Sequence, residues 1–289
     1  MMKEQEYKIE NIKTFELADI FDCGQCFRWS KQEDGSYTGI FKGNVMNVQK
    51  VGDTVTFRGI CNGNIKEIVE DYFDLNRNYE EIKERLSKID NHVKTSIEYG
   101  QGIRILNQDL WEMIISYIIS ANNNIPRIKL IIDRICKNYG KEIEWKGEKY
   151  YTFPTPEELK NVTIEDYRKL GAGFRDIRLY ETVHMVLDKK VDLNKMQNNP
   201  NTLEAREQLL TLSGVGPKVA DCILLFSTLK RFEVFPIDVW VRRVMNDLYI
   251  KKQDETKVNK KELEKLAQEK FGNLAGIAQQ YLFYWKREA

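Results

Sequence analysis

The sequence predicts an α+β protein: an antiparallel β-sheet domain with flanking helices over residues 1–98, then an all-helical domain over 99–289. Three observations lead there. Up to about residue 65, turn signals recur at EDGS (33–36), KGN (42–44), VGD (51–53) and NGN (62–64), separated by short stretches rich in Phe, Tyr, Val, Thr and Ile. That is the pattern of a meander of short strands. Beyond it, apolar residues recur at three- and four-residue spacing, the period of a half-buried helix. Finally, 289 residues, 42% apolar and 31% charged, give an ordinary globular composition with room for roughly two domains.

The elements follow in order. SYTGIF and NVMNVQKV, on either side of the KGN turn, are strands of the meander, which needs helices against one face. NIKEIVEDYFDL and YEEIKERLSKI are amphipathic helices. DLWEMIISYIISANNN is a buried helix that stops at Asn122–Asn123–Asn124, and IPRIKLIIDRICKNYG is the next, stopped by Gly140. TPEEL opens another, with Thr155 as cap, Pro156 in the first turn and Glu158 closing a capping box; Thr163 and Asp166 repeat the device. GAGFRDIRLYETVHMVLD, EAREQLLTL (204–212), PKVADCILLFSTL (217–229), DVWVRRVMNDLY, KKELEKLAQEKFG and AGIAQQYLFYWKRE complete the helical series.

Composition bounds function. Lys plus Arg is 45 and Asp plus Glu 44, a net charge of +1. This excludes a histone-like or polybasic-tail mode of binding, while leaving room for a local basic stripe along a few phosphates. The longest apolar run, IISYIIS (114–120), is too short to span a bilayer. Five cysteines, an odd count, and a polar N-terminus predict free thiols in a reducing, cytoplasmic setting. Cys23 and Cys26 form CGQC, but extended aromatic sequence follows, not the helix a redox motif requires. For zinc, only His92 and His184 remain as further ligands, both on helical stretches where packing explains them.

The stretch LSGVGPKVADC (212–222) breaks the helical pattern informatively. Pro217 suits a first helical position, and Gly214 and Gly216 permit positive φ and close backbone approach. A helix N-terminus with free N–H groups is a phosphate site, so helix–SGVG–helix reads as a sequence-independent clamp on a DNA backbone; a tight turn without ligand is the alternative. Lys218 sits where the helix dipole repels a positive charge and favours a neutral, nucleophilic amine, unless it only contacts phosphate. Cys222 lies one turn further on the same face. Asp238, in FPIDVWVRR, is placed to cap the next helix, a role compatible with stabilising a nearby cation.

Together, LSGVGPKVADC and VFPIDVWVRR resemble the hairpin and Pro-x-Asp of the helix-hairpin-helix DNA glycosylases, and more narrowly the 8-oxoguanine DNA glycosylase family. GQCFRW (24–29) resembles that family's GQxFRW, SANNNIPRI (120–128) its SNNNxxRI, and AGIAQQYLF (275–283) its AGxAQxxLF. The motifs cover nearly the whole chain. No cysteine follows Cys222, so the C-terminal iron–sulfur cluster of the endonuclease III branch cannot be built, and Lys218 separates the chain from the alkyl-base branch.

The resemblance implies a glycosylase and abasic-site lyase acting on 8-oxoguanine in double-stranded DNA opposite cytosine, as a monomer and without a catalytic cofactor. Lys218 would be the nucleophile and Asp238 the stabiliser of the developing sugar cation. Phe283 and Cys222 would sandwich the flipped base, Gln279 read its Watson–Crick edge, and the Gly24 carbonyl accept from N7–H of the lesion. Asn122, Arg127 and Arg175 would fill the gap and read the orphaned cytosine, with Phe174 as wedge. Gly214 and Gly216 would hold the backbone, and the carbonyls of Leu210, Leu212 and Val215 a structural monovalent or divalent cation. Simpler readings exist: Phe283 as a core aromatic, Asn122 as a helix stop. Phe174 stands where animal and fungal members carry tyrosine, and Trp240 where they carry histidine. A related glycosylase for another damaged base, or a non-catalytic DNA-binding protein, are the alternatives.

Overall fold

The computed structural model describes residues 2–12 and 14–288. Its N-terminal part is a five-stranded antiparallel sheet of β1 (Lys3–Ile9), β2 (Trp29–Lys31), β3 (Tyr37–Phe41), β4 (Asn44–Val51) and β5 (Thr54–Cys61), in the order β1-β5-β4-β3-β2. The three central strands fall where the alternating stretches predict them. β1 does not announce itself: KEQEYKI buries no side chain fully and carries too short an apolar alternation to read, yet it pairs with β5 from Lys3–Cys61 to Ile9–Val55. One face of the sheet closes over an aromatic core of Phe15, Trp29, Phe41, Phe57, Tyr72 and Phe73. There Trp29 stacks on Phe21 at 4.2 Å and donates its indole N–H to the Tyr72 hydroxyl at 3.0 Å.

The helices in chain order are α1 (Leu17–Phe21), α2 (Ile65–Tyr72), α3 (Tyr79–Ser87), α4 (Asn91–Tyr99), α5 (Leu110–Ser120), α6 (Ile125–Tyr139), α7 (Ile164–Lys169), α8 (Asp176–Leu187), α9 (Leu193–Asn198), α10 (Thr202–Thr211), α11 (Pro217–Phe226), α12 (Val239–Met245), α13 (Lys260–Phe271) and α14 (Ala275–Glu288). A short hairpin, β6 (Glu142–Trp145) and β7 (Glu148–Tyr151), interrupts them. α5 runs through the helical core, buried on every face from Leu110 to Ile119. The buried residues of α3 and α4 join this second core, packed with α14, rather than the sheet's.

Three local expectations need correction. The capping box of Thr155 and Glu158 forms, with Thr155 N–H donating to Glu158 at 2.8 Å, but residues 156–161 stay a series of turns. Thr163 and Asp166 do cap a helix, α7, reciprocally. α11 ends at Phe226 instead of residue 229, because Ser227 turns extended and bridges Gln108. α12 loosens after Met245 into a π-helical turn, Asn246–Ile250.

Candidate active site

α11 opens directly from the hairpin turn. Gly214 has φ +82°, which an L-residue avoids, and makes the turn. Gly216 does not have the positive φ expected of it: at φ −90° and ψ 177° it is the N-cap of α11, and the space where a Cβ would stand is open. Its backbone is thus one any residue could adopt, and the approach to the helix N-terminus beside it is open. On the outer side of the pair, Arg206 of α10 binds the buried Asp221 of α11 at 2.6 Å, locking the two helices together.

The first turn of α11 brings Lys218 to a narrow cleft of about 60 Å³, lined also by Cys23, Gly24, Tyr117, Cys222, Asp238, Gln279, Gln280 and Phe283. Residues from five separate stretches of sequence, spanning 23 to 283, therefore meet at one place. Asp238 is the N-cap of α12, its Oδ1 accepting from Val241 N–H at 2.8 Å, which aims the carboxylate across the cleft mouth. The Lys218 ammonium lies 5.6 Å from the Tyr117 ring centre. The Cys222 sulfur and, after it, Asp238 hold that ammonium above the ordinary lysine range, against burial, which pulls it down. Burial pushes Cys222 itself up to about 11, so at neutral pH the sulfur is an uncharged thiol, and what acts on the lysine there is burial, which lowers it, and then Asp238, which raises it.

Gly24 has φ +87°, and a Cβ there would lie 3.8 Å from the Phe283 ring and 3.1 Å from Arg287. Gln279 is buried on α14, and its side-chain oxygen has no hydrogen-bond partner among the described residues. A buried polar atom left unpaired at a cleft wall is a point where a ligand is expected. Tyr117 adds a second such atom, its buried hydroxyl. Sequence reading missed Tyr117, along with the buried glutamines Gln25, Gln108 and Gln280. Glutamine is rarely so buried unless it is bonded, and side-chain contacts are not visible in a linear pattern.

A second cluster lies around the end of α5. Asn122 takes the left-handed conformation at φ +50° and is exposed, Asn123 donates back to the Ile119 carbonyl at 3.0 Å, and Asn124 caps α6. The arginine of the neighbouring loop joins them: Arg175 donates to the carbonyls of Ala121 (2.9 Å), Asn122 (2.8 Å) and Ala172 (3.1 Å). Arg175 is only 2% exposed, so it is committed to the backbone in the DNA-free protein. Arg127 remains exposed, and Phe174, 55% exposed, covers the Arg175 guanidinium at 4.2 Å. Trp240, next to Asp238, is 39% exposed.

A larger groove of about 420 Å³ between the sheet and α6 contains none of these residues. Its lysines are already engaged: Lys129 on the Trp29 carbonyl (2.8 Å), Lys137 on Asp133 (2.8 Å) and Lys149 on Glu142 (3.0 Å). Among the described residues, no group of three or more His, Cys, Asp or Glu could hold a metal ion, and no helix is long and apolar enough to cross a membrane.

Comparison with known proteins meets this geometry. Residues 8–114 match the model of the 8-oxoguanine DNA glycosylase N-terminal domain, and residues 115–271 that of the HhH-GPD superfamily of base excision DNA repair proteins. An N-glycosylase/DNA lyase of Arabidopsis thaliana is 30% identical over 279 residues, 92% of this chain and 76% of that protein. The 8-oxoguanine glycosylase/lyase of Clostridium acetobutylicum in its apo form is 44% identical with a TM-score of 0.91, over 99% of this chain and 98% of that one. The same enzyme in complex with double-stranded DNA containing cytosine opposite 8-oxoG gives 45% identity and a TM-score of 0.92, over 100% and 98%.

Proposed function

The chain belongs to the 8-oxoguanine DNA glycosylases of the HhH-GPD superfamily, and from that premise we propose how its residues share the work. It is a bifunctional DNA repair enzyme that excises 8-oxoguanine opposite cytosine from duplex DNA and cleaves the resulting abasic site. The observation that carries the residue assignment is the convergence of Lys218, Asp238, Cys222, Gly24, Gln279 and Phe283 on one cleft.

An extruded base costs a few kcal/mol of unstacking. Phe283 on one face and Cys222 on the other offset much of it, stacking on an aromatic being worth about 1–3 kcal/mol. The unpaired Gln279 oxygen faces the Watson–Crick edge. Gly24 offers its carbonyl to N7–H of the lesion, where guanine presents a lone pair, a difference of about 1–3 kcal/mol. Such a difference is too small to search a genome by itself, so entry to the cleft also discriminates.

For chemistry, the filled cleft dries around Lys218, and desolvation favours loss of its extra proton. The amine attacks C1′, the bond from C1′ to N9 breaks, and the base leaves with that electron pair and takes up a proton. Asp238 stabilises the cationic sugar. Ring opening gives a Schiff base between Lys218 and C1′, which acidifies C2′; loss of a C2′ proton expels the 3′ oxygen, and water then releases the lysine. Asn122, Arg127 and Phe174 occupy the vacated stack, while Arg175 must exchange its backbone carbonyls to reach the cytosine. Gly214 and Gly216 present the N-terminus of α11 to a phosphate. The carbonyls of Leu210, Leu212 and Val215 form a hard oxygen set fit for a structural cation: Leu210 is in the last turn of α10, where carbonyls lack an intrahelical donor, and Leu212 accepts only from Val215 at 3.1 Å among the described backbone contacts.

Borohydride trapping on an 8-oxoguanine:cytosine duplex tests the assignment. The parent protein gives a covalent protein–DNA band, and Lys218→Gln binds the duplex without one. Strand cleavage retained by Lys218→Gln removes the lysine from the mechanism. Trapping of the parent only on other lesions would instead favour a different damaged base.

A further inference from the structure

Residues 22–25 form a loop whose middle two residues, Cys23 and Gly24, line the base cleft, and the four carbonyls of that loop differ in their partners. Three of them are taken by side chains. Arg287 donates to Asp22, Gln280 donates to Cys23 at 2.7 Å, and Gln108 donates to Gln25 at 2.8 Å. The Gln25 side chain fixes the loop from below, donating to the carbonyls of Ile20 (2.8 Å) and Arg104 (2.7 Å) and accepting from Leu106 N–H (2.9 Å). The carbonyl left without a donor among the described residues is that of Gly24. A loop in which every other carbonyl is spent has one acceptor to offer a ligand.

We propose that Gln280 and Arg287 are positioning residues for lesion recognition: from α14 they clamp the carbonyls before Gly24 and so set where the Gly24 carbonyl points. The inference rests on the reading of Gly24 as acceptor for the lesion's N7–H. Both residues lie on the helix that carries Gln279 and Phe283, with Gln280 adjacent to the first and Arg287 one turn beyond the second. Gln280 is 2% exposed, and among the described residues its side chain donates to the Cys23 carbonyl. The Arg287 guanidinium lies 5.3 Å from the Phe283 ring centre, so it also braces the stacking face. One helix thereby carries the ring, the Watson–Crick reader and the tether of the lesion-reading loop. Its register fixes all three relative to one another. A hydrogen-bond acceptor discriminates only if its direction is held, because the bond weakens steeply as its angle closes.

Binding ratios test this in the full-length protein with Lys218→Gln present to stop turnover. Three duplexes share one sequence and carry, opposite cytosine, 8-oxoguanine, guanine or a tetrahydrofuran abasic analogue. Gln280→Met keeps length and bulk and removes the donor. It is expected to shrink the preference for 8-oxoguanine over guanine by about tenfold, the worth of one hydrogen bond. Affinity for the tetrahydrofuran duplex, which puts no base against Gly24, is expected to stay within about twofold. Arg287→Ala shifts the ratio in the same direction, and Arg287→Lys, which still donates, restores part of it. Loss of the stacking brace alone weakens both bases alike and leaves the ratio unmoved. An unchanged ratio in Gln280→Met and Arg287→Ala overturns the proposal, as does equal weakening on all three duplexes. If the parent itself shows no preference for 8-oxoguanine over guanine, it is the reading of Gly24 that falls.

Discussion

At the scale of single residues, the protonation of Lys218 decides how the enzyme responds to pH. In the free protein at neutral pH burial opposes its ammonium and Asp238 favours it, Cys222 being an uncharged thiol there. Nucleophilic attack requires the neutral form, whose fraction rises about tenfold for each pH unit below the pKa. The kcat/KM for excision, which reports the free enzyme's groups, should therefore rise with pH as the lysine loses its proton. Initial rates at subsaturating duplex read this directly. A profile flat above about pH 7 would mean an amine already neutral, the condition the dipole argument expects. The sign for stability is opposite: a raised folded pKa stabilises fully below the unfolded lysine value near 10.4 and loses that contribution as pH rises through the folded one. The identities of Lys218 and Asp238 were legible in the sequence because motif spacing exposes them. The charge state was not, because it depends on burial and on Asp238, which acts on the lysine through space.

At the scale of elements, the hairpin separates two uses of glycine that look alike in SGVG. A Cβ on Gly214 would sit at φ +82° and 2.8 Å from the Arg178 side chain, so its cost is conformational. A Cβ on Gly216 meets nothing within 4 Å at an ordinary φ, so the protein alone barely notices it. Gly216→Ala should cost under about 1 kcal/mol of stability, since alanine is a poorer N-cap than glycine. It should nevertheless weaken binding to undamaged and damaged duplex alike, by about tenfold, because the methyl group stands between a phosphate and the N–H groups of α11. Fluorescence anisotropy on both duplexes, beside a thermal melt, checks it; loss confined to lesion DNA would place Gly216 in base recognition instead. Helices with strong apolar period, such as α5 and α6, were legible from sequence to within a few residues. β1 was not, because its inward face is only half-buried and offers just two apolar residues, Tyr7 and Ile9, too short an alternation to read. Nor was the early end of α11, set by the pairing of Ser227 with Gln108 across the chain.

For the whole molecule, the cleft lies where two hydrophobic cores adjoin, one of the sheet and one of the helices, with Cys23 and Phe27 in the helical core and Cys26 and Trp29 in the other. The GQCFRW stretch thus threads the seam. Four motifs quoted from the sequence located the site, but nothing in them indicated what joins its walls. Gln108 does. Its side chain, 3% exposed, donates to the Gln25 carbonyl at 2.8 Å on the loop side and to the Phe226 carbonyl at 3.1 Å at the end of α11. One amide therefore ties the Gly24 loop to α11. Gln108→Met keeps the volume and leaves both carbonyls buried without a donor, at a cost of about 1–3 kcal/mol each. For a chain of this size that corresponds to a melting temperature lower by roughly 4–12 °C. Activity assayed well below that temperature should fall as well, and more for 8-oxoguanine excision than for cleavage of a preformed abasic site. The first needs the Gly24 loop and α11 in register; the second needs only Lys218 and the sugar. Equal loss of both activities would make Gln108 a stabilising residue alone, and an unchanged melt would show that the seam is held elsewhere.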